Sequence, residues 1–131
     1  MSAWRKRAIE CLPGSKREFE DPETSILGVF MELLPSTVAA HRNNDTSQLK
    51  KNYDFAEWCF RQKSEDLWNA AGVAFYEHLG DKTETLQTIH QWVKRDIYIE
   101  IRPLLKQRLD EITLKTVDSL YGLQNGKLKA T

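Results

Sequence analysis

Three side chains of this 131-residue chain are suited to acid–base or metal chemistry near neutral pH, the imidazoles of His41, His78 and His90. His78 is the most informative, because helical spacing places it on one line with Leu67 and Ala71. A buried imidazole needs a hydrogen-bond partner at each nitrogen. His78 is therefore either a satisfied core or interface histidine, or a catalytic base or ligand, and its apolar neighbours favour the first interpretation.

Glu77 directly precedes His78, a pair that could suggest a metal site or acid–base chemistry. Consecutive helix residues point about 100° apart, so these two side chains cannot hold one ion together. The sequence has no His, Cys and Asp set at the spacing of known metal sites, and no nucleotide-binding, zinc-protease or serine-hydrolase motif. We therefore predict no catalytic residue, no metal and no cofactor, and the sequence favours a protein that is not an enzyme.

A second group of polar and aromatic side chains could form a recognition surface or a pocket. Asn69 and Tyr76 fall on one face of a predicted helix, and Trp58 on the preceding helix is a residue type favoured at interfaces. Asp54 or Glu57 could face the same place. The candidate interaction or pocket residues are Trp58, Asn69, Tyr76, Glu77 and His78.

Cys11 and Cys59 are the only cysteines, and neither belongs to a C-x-x-C pair. Isolated cysteines are more often small buried apolar residues than nucleophiles. The N-terminus has a charged triplet in place of an apolar signal segment, and no apolar run approaches the ~20 residues that span a bilayer. These features predict a cytoplasmic protein with no membrane association.

The composition is that of one globular domain. Apolar residues make up 40% of the chain and charged residues 29%, and 19 basic and 19 acidic side chains cancel. A nucleic-acid-binding domain normally carries a basic excess, and the basic triplet at residues 5–7 is soon followed by acidic residues, as on a solvated helix face. Nucleic acid is therefore the least favoured partner.

Helical periodicity predicts an all-α fold, a compact single-domain bundle of six or seven helices around a central helical hairpin from Thr46 to Leu79. The expected helices cover residues 2–12, 21–41, 46–63, 64–79, 83–92, 97–105 and 111–121. Kinks or breaks are expected at Pro35 and Pro103. Residues 97–101 alternate like a strand, but no partner strand is evident, which favours helix. The domain is predicted to span residues 1–123, with a frayed tail over 124–131.

Two segments carry a resemblance to a known family. The start, Trp4 to Pro13, follows the pattern W-R-x-x-A-I-x-x-L-P, and residues 73–79 read V-A-F-Y-E-H-L. Together with the run from Tyr53 to Cys59, they resemble an uncharacterised bacterial family of short all-helical proteins, a domain of unknown function. The likeness covers residues 4–121. It implies a bacterial, cytoplasmic, all-helical protein, assigns no activity, and draws attention to residues 75–78.

The leading hypothesis is a non-enzymatic protein-interaction module, whose partner is another protein or a second copy of the chain. Balanced charge, the lack of catalytic motifs and an aromatic content of 10% support it. An immunity- or antitoxin-like role would suit a small bacterial helical domain, by analogy alone. The alternative is a small enzyme or ligand-binding domain with a pocket near Asn69, Tyr76, Glu77 and His78.

Overall fold

The computed structural model describes residues 1–124 and 127–128, and it confirms an all-helical, compact single domain. The α-helices of this part of the chain are α1 (Ala3–Cys11), α2 (Lys16–Glu20), α3 (Ile26–Arg42), α4 (Thr46–Phe60), α5 (Glu65–Ala74), α6 (Thr83–Leu86), α7 (Ile89–Trp92), α8 (Arg95–Lys106) and α9 (Glu111–Leu120). Helices α2, α6 and α7 have four or five residues each, which is why the number exceeds the six or seven that periodicity predicts. The single helix expected over residues 83–92 is divided into α6 and α7.

Helix α1 begins after Ser2, which caps it. The Ser2 hydroxyl accepts a hydrogen bond from the main-chain N–H of Arg5 at 3.4 Å, which satisfies one of the free amide groups of the first turn. A 3₁₀ turn over Pro13–Ser15 then leads into α2, a helix that periodicity does not predict. Helix α2 carries Phe19, which is fully buried in the core. A tertiary contact of this kind leaves no local pattern in a five-residue segment.

The helix start expected at Asp21 is wrong, since α3 begins only at Ile26. Asp21 instead closes a turn, because its carboxylate accepts a hydrogen bond from the main-chain N–H of Glu23 at 2.9 Å. The cap of α3 is Ser25, whose hydroxyl accepts from the N–H of Gly28 at 3.2 Å. Aspartate followed by proline suits both a turn and a helix start, and here the turn forms.

Arg5 ties the segment between α2 and α3 to helix α1. Its guanidinium donates to three main-chain carbonyl oxygens, those of Phe19 at 2.6 Å, Asp21 at 2.9 Å and Thr24 at 2.9 Å. Hydrogen bonds from a charged donor are stronger than neutral ones, and a guanidinium has a fixed fork of donors. One side chain therefore fixes the path of the chain into α3.

Helix α3 continues through Pro35 without the break that the sequence suggests. Proline removes the hydrogen bond to the carbonyl four residues earlier, which belongs to Met31. Both residues are exposed, so water can reach this carbonyl in place of the missing N–H. The cost of the proline is therefore small enough for the helix to continue to Arg42.

Helices α4 and α5 form the central hairpin, but α5 ends at Ala74 and not at Leu79. Phe75 leaves helical geometry, with φ −127° and ψ −71°, and a 3₁₀ segment follows over Tyr76–Asp81. If α5 continued, the rings of the adjacent residues Phe75 and Tyr76 would point about 100° apart. The change of geometry lets both rings enter the core, where Phe75 is 0% and Tyr76 1% exposed.

The core lies where the long helices meet. Helix α4 packs against α3 and α5, helix α5 against α3, and helix α8 against the 3₁₀ segment that follows α5. Helix α8 includes residues 97–101, so helix is confirmed over strand for that stretch, and it continues through Pro103. None of the helices within residues 1–124 has the length and apolar character needed to cross a membrane.

The chain turns sharply after α9. Gly122 has φ +71°, the left-handed conformation that commonly follows a helix end. Two short strands come next, β1 (Leu123–Gln124) and β2 (Lys127–Leu128), and they pair antiparallel. The frayed tail predicted over residues 124–131 otherwise lies outside the described residues.

Candidate functional site

Tyr76 lies in the core rather than on an open face of α5. Its ring packs edge-on against Phe60 at 5.4 Å between centroids and against Phe75 at 5.4 Å. Burial raises the pKa of its hydroxyl, and the nearby Glu57 carboxylate raises this pKa further. A phenol in such surroundings stays protonated, so Tyr76 can donate a hydrogen bond but cannot serve as a base near neutral pH.

His78 is half-buried and lies beyond the end of α5, so it does not continue the helical line of Leu67 and Ala71. Its Nδ1 is 2.8 Å from an Asp81 carboxylate oxygen. Arg108 joins the group, with Nη1 3.2 Å from Asp81 and Nη2 3.5 Å from Glu77. The four residues Glu77, His78, Asp81 and Arg108 thus form a charged cluster, which we name the His78 cluster.

The His78 cluster has part of the geometry of an acid–base pair. A carboxylate at Nδ1 orients the ring and leaves Nε2 free, as in the His–Asp pair of serine hydrolases. Among the described residues, however, no hydroxyl or thiol hydrogen bonds to Nε2. Arg108 also shares the Asp81 carboxylate. The arrangement ties the 3₁₀ segment to the chain just after α8.

Trp58 and Asn69 occupy two other places. The Trp58 ring lies 4.5 Å from the guanidinium carbon of Arg7, a cation–π contact between α4 and α1. Asn69 is exposed and lines a cleft of about 550 Å³ between the starts of α3 and α5, together with Trp4 and Leu27. Of the five candidate residues, the structure brings Glu77 and His78 together through Arg108.

The other two histidines do not belong to the His78 cluster. His41 Nε2 is 2.8 Å from the hydroxyl of Tyr53, and the two rings meet edge to face. Burial lowers the pKa of His41, although the Glu84 carboxylate opposes the shift. His90 Nδ1 is buried and has no hydrogen-bond partner in the described part of the chain.

Both cysteines are buried thiols, as the sequence suggests. Burial raises the pKa of Cys11 to about 12 and that of Cys59 to about 12, so neither supplies a thiolate near neutral pH. Cys11 donates to the Oδ1 of Asn52 at 3.2 Å. Within residues 1–124, the His, Cys, Asp and Glu side chains form no group of three or more that could hold a metal ion.

The outer side of α3 is a surface that the search for chemical residues does not identify. Leu27 is 50% exposed and Met31, one turn later, is 75% exposed. Pro35 is also exposed, and Leu34 and Val38 are half-buried beside them. We name these five residues the α3 surface. The sequence does contain a signal, because α3 is apolar on more than one side, and such a helix is covered by several neighbours.

The α3 surface continues into the cleft that contains Asn69, since Leu27 lines both. Glu32 is the only charged residue between Ile26 and Ala40. Solvated helix faces normally carry charged side chains, so this composition is unusual for a face without a neighbour. The structure therefore presents an apolar helix face that opens at one end into a cleft with polar lining.

The comparisons with known proteins place the chain in a family without assigning an activity. No curated protein and no solved structure shows significant similarity to the chain. A family model matches residues 5–110, which is most of the chain and includes every candidate residue and the α3 surface. The protein therefore belongs to the family described as a domain of unknown function, DUF7674.

Proposed function

We propose that this chain is a protein-interaction module whose partner docks on the α3 surface. The observation that carries the proposal is the exposure of Leu27 and Met31 on successive turns of an almost uncharged helix. Contiguous exposed apolar surface, unlike single exposed apolar residues, marks interaction sites. Helix-in-groove and helix-on-helix contacts use anchors at this i, i+4 spacing.

The contrast with α9 supports the choice of α3. Ile112 of α9 is 79% exposed, more than either α3 residue, yet it lies between Glu111 and Thr113 on a helix start rich in polar side chains. A single exposed apolar side chain of this kind is ordinary. On α3 the apolar residues continue over three turns, and a partner that covers them gains roughly 25 cal/mol for each Å² removed from water.

Site-specific photo-crosslinking in the native cell tests the proposal. A photoreactive amino acid at position 31 should give a discrete crosslinked species, and the same amino acid at position 112 should not. Mass spectrometry of the product identifies the partner, and a product containing two copies of this chain would show that the partner is a second copy. Equal crosslinking from both positions, or none from position 31, would contradict the proposal.

Substitution gives a quantitative check once the partner is known. Met31→Lys places a charge in the centre of the surface and should weaken binding about tenfold or more, because an unpaired buried charge costs over 1.4 kcal/mol. Ile112→Lys is the matched control and should leave the dissociation constant unchanged. Both positions are exposed, so neither change should alter the free energy of unfolding by more than about 0.5 kcal/mol.

A further inference from the structure

We propose that a cleft between α8 and α9 binds a small phosphate monoester with an apolar organic body. The cleft has a volume of about 540 Å³, within the range of small-molecule sites. It is lined by three cations, one acid and two leucines, namely Arg102, Lys106, Lys115, Glu111, Leu109 and Leu114. We name it the α8–α9 cleft. It shares no lining residue with the α3 surface, so this inference stands independently of the proposed function.

Arg102 is held in a fixed orientation for ligand binding. Its Nε and Nη2 donate to the two oxygens of Asp118 at 2.9 and 2.8 Å, and Asp118 is buried. Tyr98 donates to the same carboxylate at 2.6 Å. Arg102 Nη1 makes no hydrogen bond within the described part of the chain. The two N–H groups of Nη1 are therefore available as donors, on a group whose plane is already set.

Two lysines extend the donor set. Lys106 lies one helical turn after Arg102 on α8, and its ammonium forms no ion pair with a described residue. Lys115 on α9 is 3.2 Å from Glu111 in an exposed pair, which is a weak interaction. Asp118 compensates the charge of Arg102. The other charges that line the cleft are the two positive charges of Lys106 and Lys115 and the single negative charge of Glu111. The cleft keeps a local positive charge.

The geometry of the donors favours phosphate over carboxylate. A phosphate monoester presents three terminal oxygens and close to two negative charges at pH 7. It can therefore accept from a guanidinium and from ammonium groups on two helices at once, whereas a carboxylate has two oxygens in one plane. Leu109 is half-buried and adds apolar surface to the cleft, whereas Leu114 behind it belongs to the core. The ligand is thus expected to be an organic phosphate rather than the bare ion.

Titration of the full chain with phenyl phosphate and with inorganic phosphate tests the proposal, followed by NMR chemical shifts or calorimetry. Both ions should bind saturably, and phenyl phosphate should bind several times more tightly because its ring covers Leu109. Lys106→Gln should weaken binding of both about fivefold, the loss of one charge-assisted contact. Glu111→Gln should strengthen binding, because Glu111 competes with the ligand for Lys115. Arg102 is left unchanged, since it also compensates the buried Asp118.

Two variants outside the cleft separate a site from general charge. Lys63→Gln and Glu23→Gln make the same changes in net charge at exposed positions and should leave both affinities within about twofold of the unmodified chain. Equal losses in Lys106→Gln and Lys63→Gln would overturn the proposal, as would the lack of saturable binding. Equal affinity for phenyl phosphate and inorganic phosphate would overturn the inference that the ligand has an apolar body.

Discussion

At the residue scale, Asn52 connects three helices through one buried amide. Its side chain is 0% exposed, and its Oδ1 accepts from Gln48 at 2.7 Å and from the Cys11 thiol. Its Nδ2 donates to the hydroxyls of Thr37 at 3.0 Å and Ser36 at 3.2 Å. Helices α1, α3 and α4 thus meet at a polar centre in which both ends of the amide are used.

Asn52→Asp should destabilise the protein more than Asn52→Leu at pH 7. The carboxylate loses both N–H donors and buries a charge with no cation in the network, at a cost of about 3–5 kcal/mol. Leucine has a similar size and leaves no charge. Because burial raises the pKa of such a carboxyl, its charged form disappears as the pH falls, and the gap between the two variants should narrow toward pH 4. Urea unfolding at both pH values measures this, and a gap that widens would contradict it.

His41 gives the protein a stability that depends on pH. Burial lowers the pKa of His41 below its ordinary value of 6.5, so the unfolded chain binds this proton more readily than the folded chain. The contribution of the neutral ring is complete above pH 6.5 and is lost as the pH falls through 6.5 toward the lower folded pKa. The unfolding free energy of the protein should therefore fall more steeply between pH 7 and 5 than that of His41→Gln. Parallel curves for the two proteins would show that His41 does not contribute.

The sequence singled out His41 and His78 but not Asn52, and it did not reveal the surroundings of any of the three. Asn52 lies three residues after Leu49 and directly before Tyr53, on a helix whose apolar stripes are evident. Its partners from α1 and α3 are distant in sequence, so the local pattern does not reveal them. His78 shows the opposite case. Its helical line with Leu67 predicted apolar neighbours, and the end of α5 at Ala74 placed it beside Asp81 instead. Which partner a polar side chain meets depends on tertiary geometry that local spacing does not contain.

At the element scale, the glycine after α9 should be more sensitive to substitution than a glycine in an ordinary turn. Gly122→Ala should lower the free energy of unfolding by about 1–2 kcal/mol, because φ +71° is strained for a residue with a Cβ. The nearest side-chain atom to that Cβ would be 4.0 Å away, so the cost would come from the backbone. Gly14→Ala is the control, since nothing lies within 4 Å of its Cβ, and it should be neutral or slightly stabilising. Thermal unfolding of both variants measures this, and equal effects would contradict the assignment.

Some helix boundaries that depend on local caps were predictable, although the start of α3 was not, and the end of α5, which depends on packing, was not. Asp45 accepts from the N–H of Gln48 at 3.1 Å, as the capping-box spacing predicts. Leu79 was a reasonable end for α5 because Gly80 follows it, but the rings of Phe75 and Tyr76 decide the boundary. Their burial outweighs the helical hydrogen bonds given up at that point. The local sequence carries no sign of that competition.

At the scale of the whole molecule, α9 completes the core although the family match ends at residue 110. Asp118 on α9 supplies the carboxylate for Tyr98 and Arg102 on α8. Tyr121, directly after α9, stacks on Tyr98 with ring centroids 4.1 Å apart, and its hydroxyl is 2.7 Å from the carbonyl of Val93. The core of the domain thus includes a segment that lies beyond the residues matched by the family model.

A chain that stops after Asp110 should therefore not fold cooperatively. Its Arg102 would lose its carboxylate, Tyr98 would lose its stacking partner, and the buried side chains of Leu114 and Val117 would be missing from the core. The full chain keeps all of these contacts and should unfold in one cooperative transition. Circular dichroism and denaturant titration distinguish the two. A cooperative transition for the shorter chain, at the denaturant concentration of the full protein, would show that α9 is dispensable.

The two buried thiols can report local opening of the structure around them. Cys11 lies in the N-terminal helix and Cys59 near the end of α4, and both are shielded from solvent and held as unreactive thiols. An alkylating reagent can therefore label each cysteine only when its surroundings open. The two labelling rates, read separately by mass spectrometry, report whether α1 detaches before the central hairpin does or whether both open in a single event. The unmodified sequence thus allows a two-site measurement of cooperativity, with no introduced label.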